Sequence, residues 1–136
     1  MPSRRMAREL ALQALFSIEV GHREVADVLE EYFQRFSESA HRPFVKDLVY
    51  GSIEHADEAD LALAPLLQGW TIERLPTIDR LLLRMGMFEL HHRPETPRPV
   101  IINEAVELAK KFSTEDSGRF INGVLSAAMR ADAAQT

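Results

Sequence analysis

No cysteine occurs among the 136 residues, and that absence removes disulfide bridges, thiolate nucleophiles and zinc–thiolate centres together. It fits a reducing compartment, and a cytoplasmic location is the simplest reading. Long apolar runs are missing as well. The longest, Leu61 to Leu67, is seven residues and contains Pro65, whereas a helix needs roughly 20 to cross a bilayer. Ser3-Arg4-Arg5 mimics the opening of a twin-arginine export signal, but Glu9, Gln13 and Glu19 interrupt the apolar stretch that should follow. Glycine is scattered, at 21, 51, 69, 86, 118 and 123, which leaves no phosphate-cradling loop and no Gly-x-Ser-x-Gly elbow. Without a His-x-x-x-His pair either, the chain offers no catalytic constellation, and neither enzyme activity nor a cofactor is expected.

What is present has the proportions of a single domain, residues 1–136, with 46% hydrophobic and 27% charged side chains. That length supports one core. Helical periodicity runs from end to end. Ala7, Leu10, Ala11, Ala14, Leu15 and Ile18 recur at three and four residues, with Ser3 as the expected cap and Gly21 as the expected stop. Val25, Val28, Leu29, Tyr32, Phe33 and Phe36 form a second stripe, and Pro43 opens a third helix whose face carries Phe44, Val45, Leu48, Val49, Ile53 and Ala56. Leu61 to Leu67 continues as helix until Gly69.

The connector from Trp70 to Pro76 places a large aromatic where two helical groups should meet. Thr77 is the expected cap of the next helix, which is apolar nearly all round from Ile78 to Leu90 and therefore central. Pro94, Pro97 and Pro99 define a loop, followed by a helix from about Val100 to Phe112. Thr114 caps the last, which carries Phe120, Ile121, Val124, Leu125, Ala128 and Met129, while the tail from Ala131 is expected to fray. The fold class is all-α, with two packed helical subdomains at about 3–69 and 77–130 and six to seven helices.

The net charge of −5 comes from 16 basic and 21 acidic residues and excludes a surface that is basic throughout. The average conceals a gradient. Residues 1–8 hold Arg4, Arg5 and Arg8 without an acid, while residues 19–60 hold four basic residues against eleven acidic ones. Cations at a helix N-terminus oppose the macrodipole, so a phosphate ligand is one reason to find them there; a solvated first turn is the other reading. Glu54, His55, Asp57, Glu58 and Asp60 fan around a helix and read as a solvated acidic face, and His91-His92 reads as a helix C-terminus. No metal site is expected.

Two blocks carry a family likeness. Arg4-Arg5-Met6-Ala7-Arg8-Glu9 followed by Ala11-Leu12-Gln13-Ala14-Leu15-Phe16 resembles the arginine-rich first helix of the NusB family of transcription antitermination factors. Asn103 to Phe112 and Glu115 to Leu125 are similar to that family's C-terminal signature, and Leu81 to Leu90 resembles its central helix. The resemblance implies two packed helical subdomains and a non-enzymatic role. It implies binding of single-stranded boxA RNA from ribosomal RNA operons together with the ribosomal protein NusE, so that RNA polymerase reads through terminators.

By that likeness Arg4, Arg5 and Arg8 contact RNA, Phe16 lies near the same surface, and Asp116, Arg119 and Phe120 line it. Asp79 corresponds to a position near the NusE surface, and an acidic body suits a basic ribosomal protein. Phe120 fits the core stripe equally well, Asp116 suits a helix N-terminus, and Gly123 reads as a point of close helix packing. Met6 interrupts the arginine block, so RNA affinity without the partner should be weak. A homodimer, a pure protein-interaction module, and the helical domain preceding certain ribosomal RNA cytosine methyltransferases are the alternatives.

Overall fold

The computed structural model describes residues 4–35 and 41–134. These form seven α-helices and no strand: α1 Arg4–Gly21, α2 Val25–Arg35, α3 Arg42–Glu54, α4 Ala56–Leu63, α5 Thr77–His92, α6 Arg98–Phe112 and α7 Glu115–Ala134. None of the described helices is long and apolar enough to cross a membrane. The expected cap Ser3 and the stripe residue Phe36 lie outside the described residues.

Helix α5 is the hub. It packs against α1, α3, α4, α6 and α7, and Leu81, Leu82, Leu83, Met85, Met87, Phe88 and Leu90 are all buried in one apolar cluster shared with those neighbours. A helix surrounded on every side cannot be amphipathic, which is why its apolar residues go all round. Its two arginines are paired: Arg84 reaches Asp60 of α4 at 2.8 and 2.9 Å, and Arg80 pairs with Glu19 of α1. Close approach is arranged through small residues. Ala11 and Ala14 of α1 are fully buried, and Gly51 of α3 leaves room for the Phe88 ring, whose nearest atom would lie 2.1 Å from an added Cβ.

Several element ends differ from the sequence expectation for identifiable reasons. Helix α1 does not stop on a left-handed glycine; His22 takes φ 52°, and the Arg23 N–H donates to the Ile18 carbonyl at 3.1 Å, the six-to-one bond of a Schellman ending. Pro76, not Thr77, occupies the cap position of α5, and Pro99 lies inside the first turn of α6, where a missing N–H is harmless. Two consecutive left-handed residues, Gln68 at φ 51° and Gly69 at φ 94°, end the α4 region. Trp70 does not pack at a seam: it is 58% exposed, and Leu67 and Leu75 on either side fill that role. Ile53 also faces outward. Thr114 does cap α7, accepting from the Ser117 N–H at 3.0 Å. Helix α7 runs past Ala131 to Ala134, where Asp132 meets Arg98 and His91; the rest of the expected tail lies outside the described residues.

Candidate nucleic-acid interface

The basic start of α1 is built in layers. Arg8 lies innermost, 3% exposed, with Nη2 donating to Glu89 Oε1 at 3.0 Å and Nε to both carboxylate oxygens at 3.2 Å. Burial pushes the Glu89 carboxyl above its ordinary range, and the adjacent guanidinium pulls it back only in part. Arg4 stacks over Phe44 of α3, its guanidinium carbon 4.4 Å from the ring centroid, and Arg8 lies 5.2 Å from the same ring. Arg5 faces away from that pair and grips Glu104 of α6 through Nε at 2.8 Å and Nη2 at 3.2 Å. The hydrogen bond and charge of Glu104 raise the Arg5 guanidinium above its usual value.

These arginines line an open cleft of about 540 Å³ whose far wall is Glu95, Thr96, Pro97 and Val100 from the loop before α6 and its first turn. The three arginines expected to contact RNA thus differ in exposure. Arg8 is covered and paired with Glu89, while Arg4 and Arg5 are exposed.

Residues 5, 9, 12 and 16 fall on one face of an α-helix, about 16 Å from end to end. In this molecule that face lies beside α6. Arg5 meets Glu104, Glu9 meets Lys111 at 2.9 Å, and Phe16, 38% exposed, shares a second hollow of about 550 Å³ with Leu12, Val20, Tyr32, Ile78 and Phe112. The Lys110 side chain in turn lies over Gly118 of α7, 3.0 Å from where a Cβ would stand. A path thus runs from the arginines along α1 and α6 to the first turns of α7. There Asp116 and Arg119 are exposed and pair with each other, while Phe120 packs partly against the core, combining both of its sequence readings.

Asp79 is not on this surface, nor on any other. It is 4% exposed, accepts from Ser117 Oγ at 3.0 Å, and its second oxygen has no hydrogen-bond partner. It joins the N-terminal turns of α5 and α7, and cannot touch a partner directly in this conformation. Gly123 likewise departs from expectation, since an added Cβ would meet nothing within 4 Å. Sequence reasoning also misses Phe44 and Lys111, which the fold brings to the basic face of α1. Lys111 and Glu9 stand 102 residues apart, and neither position carries a local signal for the other.

A model of the NusB family matches residues 5–130, from Arg5 through most of α7. The chain belongs to the NusB family. It is 43% identical over 129 residues to the transcription antitermination protein NusB of Halalkalibacterium halodurans, covering 95% of each chain. Among solved structures it is similar to T. maritima NusB, with a TM-score of 0.87 at 30% identity over 95% of this chain and 92% of that one. It is also similar to a chain in the crystal structure of antitermination factors NusB and NusE in complex with double-stranded RNA, with a TM-score of 0.85 at 27% identity, covering 94% and 96%. The NusB resemblance read from the two sequence blocks and the all-α fold are thereby borne out.

Proposed function

We propose that this NusB-family protein is a transcription antitermination factor that binds boxA-type RNA jointly with a NusE-type ribosomal protein and helps RNA polymerase read through terminators. The observation that carries the reading is the basic start of α1, held on Phe44 and Glu89 beside an open cleft, in a chain whose relatives are antitermination proteins. Arg4 and Arg5 supply phosphate contacts, with Arg5 exchanging its Glu104 partner for RNA. Arg8 fixes the platform from beneath. Lys111 extends the cationic path, and Phe16 and the exposed edge of Phe120 offer apolar surface for unpaired bases. Asp116 accepts from base edges and Arg119 reaches phosphate once their mutual pair opens. The similar NusB chain crystallised with NusE and RNA supports a joint partner. The NusE contact belongs to the acidic exposed surface, with buried Asp79 acting only through the α5–α7 junction.

The test is an anisotropy titration of boxA RNA with and without the NusE-type protein. Cooperative tightening by the partner, lost in Arg4→Ala/Arg5→Ala, is the expected result. Association with the partner but none with RNA in its presence would replace this reading by the protein-interaction module.

A further inference from the structure

His55 closes α3 and opens α4, Glu58 stands in the first turn of α4, and His92 ends α5. The sequence separates Glu58 from His92 by 34 residues, and read locally each belongs to a different, ordinary feature. The fold joins them. Glu58 Oε2 lies 2.7 Å from His92 Nε2, the His55 and His92 rings stack with centroids 4.0 Å apart, and one donor atom from each of the three residues lies within 4.8 Å of the other two. Phe88 stacks against both rings at 5.7 Å and walls the inner side.

We propose that His55, Glu58 and His92 form a binding site for one borderline divalent cation of the zinc class. Two imidazole nitrogens and one carboxylate oxygen are a donor set for zinc, cobalt or nickel and a poor one for magnesium or calcium, which take oxygen ligands. Zinc–ligand bonds of about 2.0–2.2 Å place tetrahedral donors about 3.4 Å apart. The donors, within 4.8 Å of one another, must therefore draw closer, and the stacked His55 and His92 rings must turn about their side-chain torsions so that their in-plane lone pairs converge, leaving the fourth position open to water. Glu58 is the pivot of the set. Its hydrogen bond to His92 accounts for that pair, but not for His55, whose ring reaches the cluster by stacking.

A supporting layer is also in place. His91 lies with Nδ1 3.4 Å from Glu58 Oε2 and Nε2 3.4 Å from Asp132 of α7, a histidine held between a candidate ligand and a second carboxylate, as around bound metals. The site shares no residue with the arginine cleft, so it stands independently of the RNA reading. A bound cation would tie the α3–α4 junction to the end of α5, just before the loop that forms the cleft's far wall.

The experiment titrates Zn²⁺ into tag-free protein against a chromophoric chelator, with Mg²⁺ as comparison. One equivalent of Zn²⁺ should bind, Mg²⁺ should not compete, and His55→Gln and His92→Gln should each weaken binding at least tenfold while remaining helical by circular dichroism. His22→Asn, a histidine outside the cluster whose left-handed backbone Asn tolerates, should bind as the parent does. Failure to bind one equivalent, or unchanged binding in both cluster variants, overturns the site. Where a variant unfolds, imidazole NMR signals of the parent decide: Zn²⁺ must shift His55 and His92 and leave His22 in place, and shifts confined to other histidines overturn the assignment.

Discussion

Arg8 and Glu89 show how a residue's surroundings override the reading its type invites. An arginine in a basic block reads as a phosphate ligand, yet this one has exchanged water for a carboxylate from α5. A buried pair adds little net stability, but removing one partner strands the other charge and costs about 3–5 kcal/mol. Glu89→Ala should therefore lower the unfolding free energy by about that amount in urea denaturation, whereas Arg8→Met/Glu89→Leu should recover most of it. The double variant should also retain more RNA affinity than Arg4→Ala, since Arg8 acts from beneath; equal losses in the two would return Arg8 to direct contact. Glycines make a second contrast at this scale. Gly51→Ala drives a Cβ into the Phe88 ring and should destabilise by about 1–3 kcal/mol. Gly123→Ala meets open space on an exposed helix face and should stabilise by roughly 0.5–1 kcal/mol. Urea midpoints moving in opposite directions check both.

At the scale of elements, periodicity carries the information and pairing between elements does not. The stripes of α1, α2 and α5 were legible because each helix has one partner surface or is enclosed on all sides, so burial maps directly onto spacing. Trp70 and Ile53 face outward because the packing between elements, which no local pattern encodes, sets their direction. Thr77 was misplaced by one position because Pro76 holds the extended backbone a cap needs without supplying a side-chain bond. The α4–α5 contact is the sharpest case, since an acidic run and a histidine pair become one cluster only in the fold. Its hydrogen bond to His92 holds the Glu58 carboxyl below the usual range. A depressed carboxyl stabilises the fold above its unfolded value, about 4.3, and that contribution is lost as pH falls through the lower folded value. With a chelator present, the parent should exceed Glu58→Gln in stability near about pH 6, by less than about 1 kcal/mol for so exposed a pair, and the gap should close toward about pH 3.

For the whole molecule, the net charge of −5 is the sum of a basic patch and an acidic body, and the two answer differently to salt. Each phosphate neutralised on single-stranded RNA contributes about −0.7 to the slope of log affinity against log salt. Arg4, Arg5, Lys111 and Arg119 are the exposed cations that the proposed interface sets against phosphate, and Arg8, buried against Glu89, neutralises none. The parent slope should therefore be about −3 and should become shallower by about 0.7 for each of Arg4→Ala, Arg5→Ala, Lys111→Ala and Arg119→Ala. Arg8→Met/Glu89→Leu should leave it unchanged even if affinity falls. Because Arg5 and Lys111 must leave Glu104 and Glu9 to reach phosphate, Glu104→Gln and Glu9→Gln should tighten RNA binding at low salt without steepening the slope. A parent slope near zero, or one that Arg4→Ala does not alter, would remove the basic end of α1 from the RNA interface.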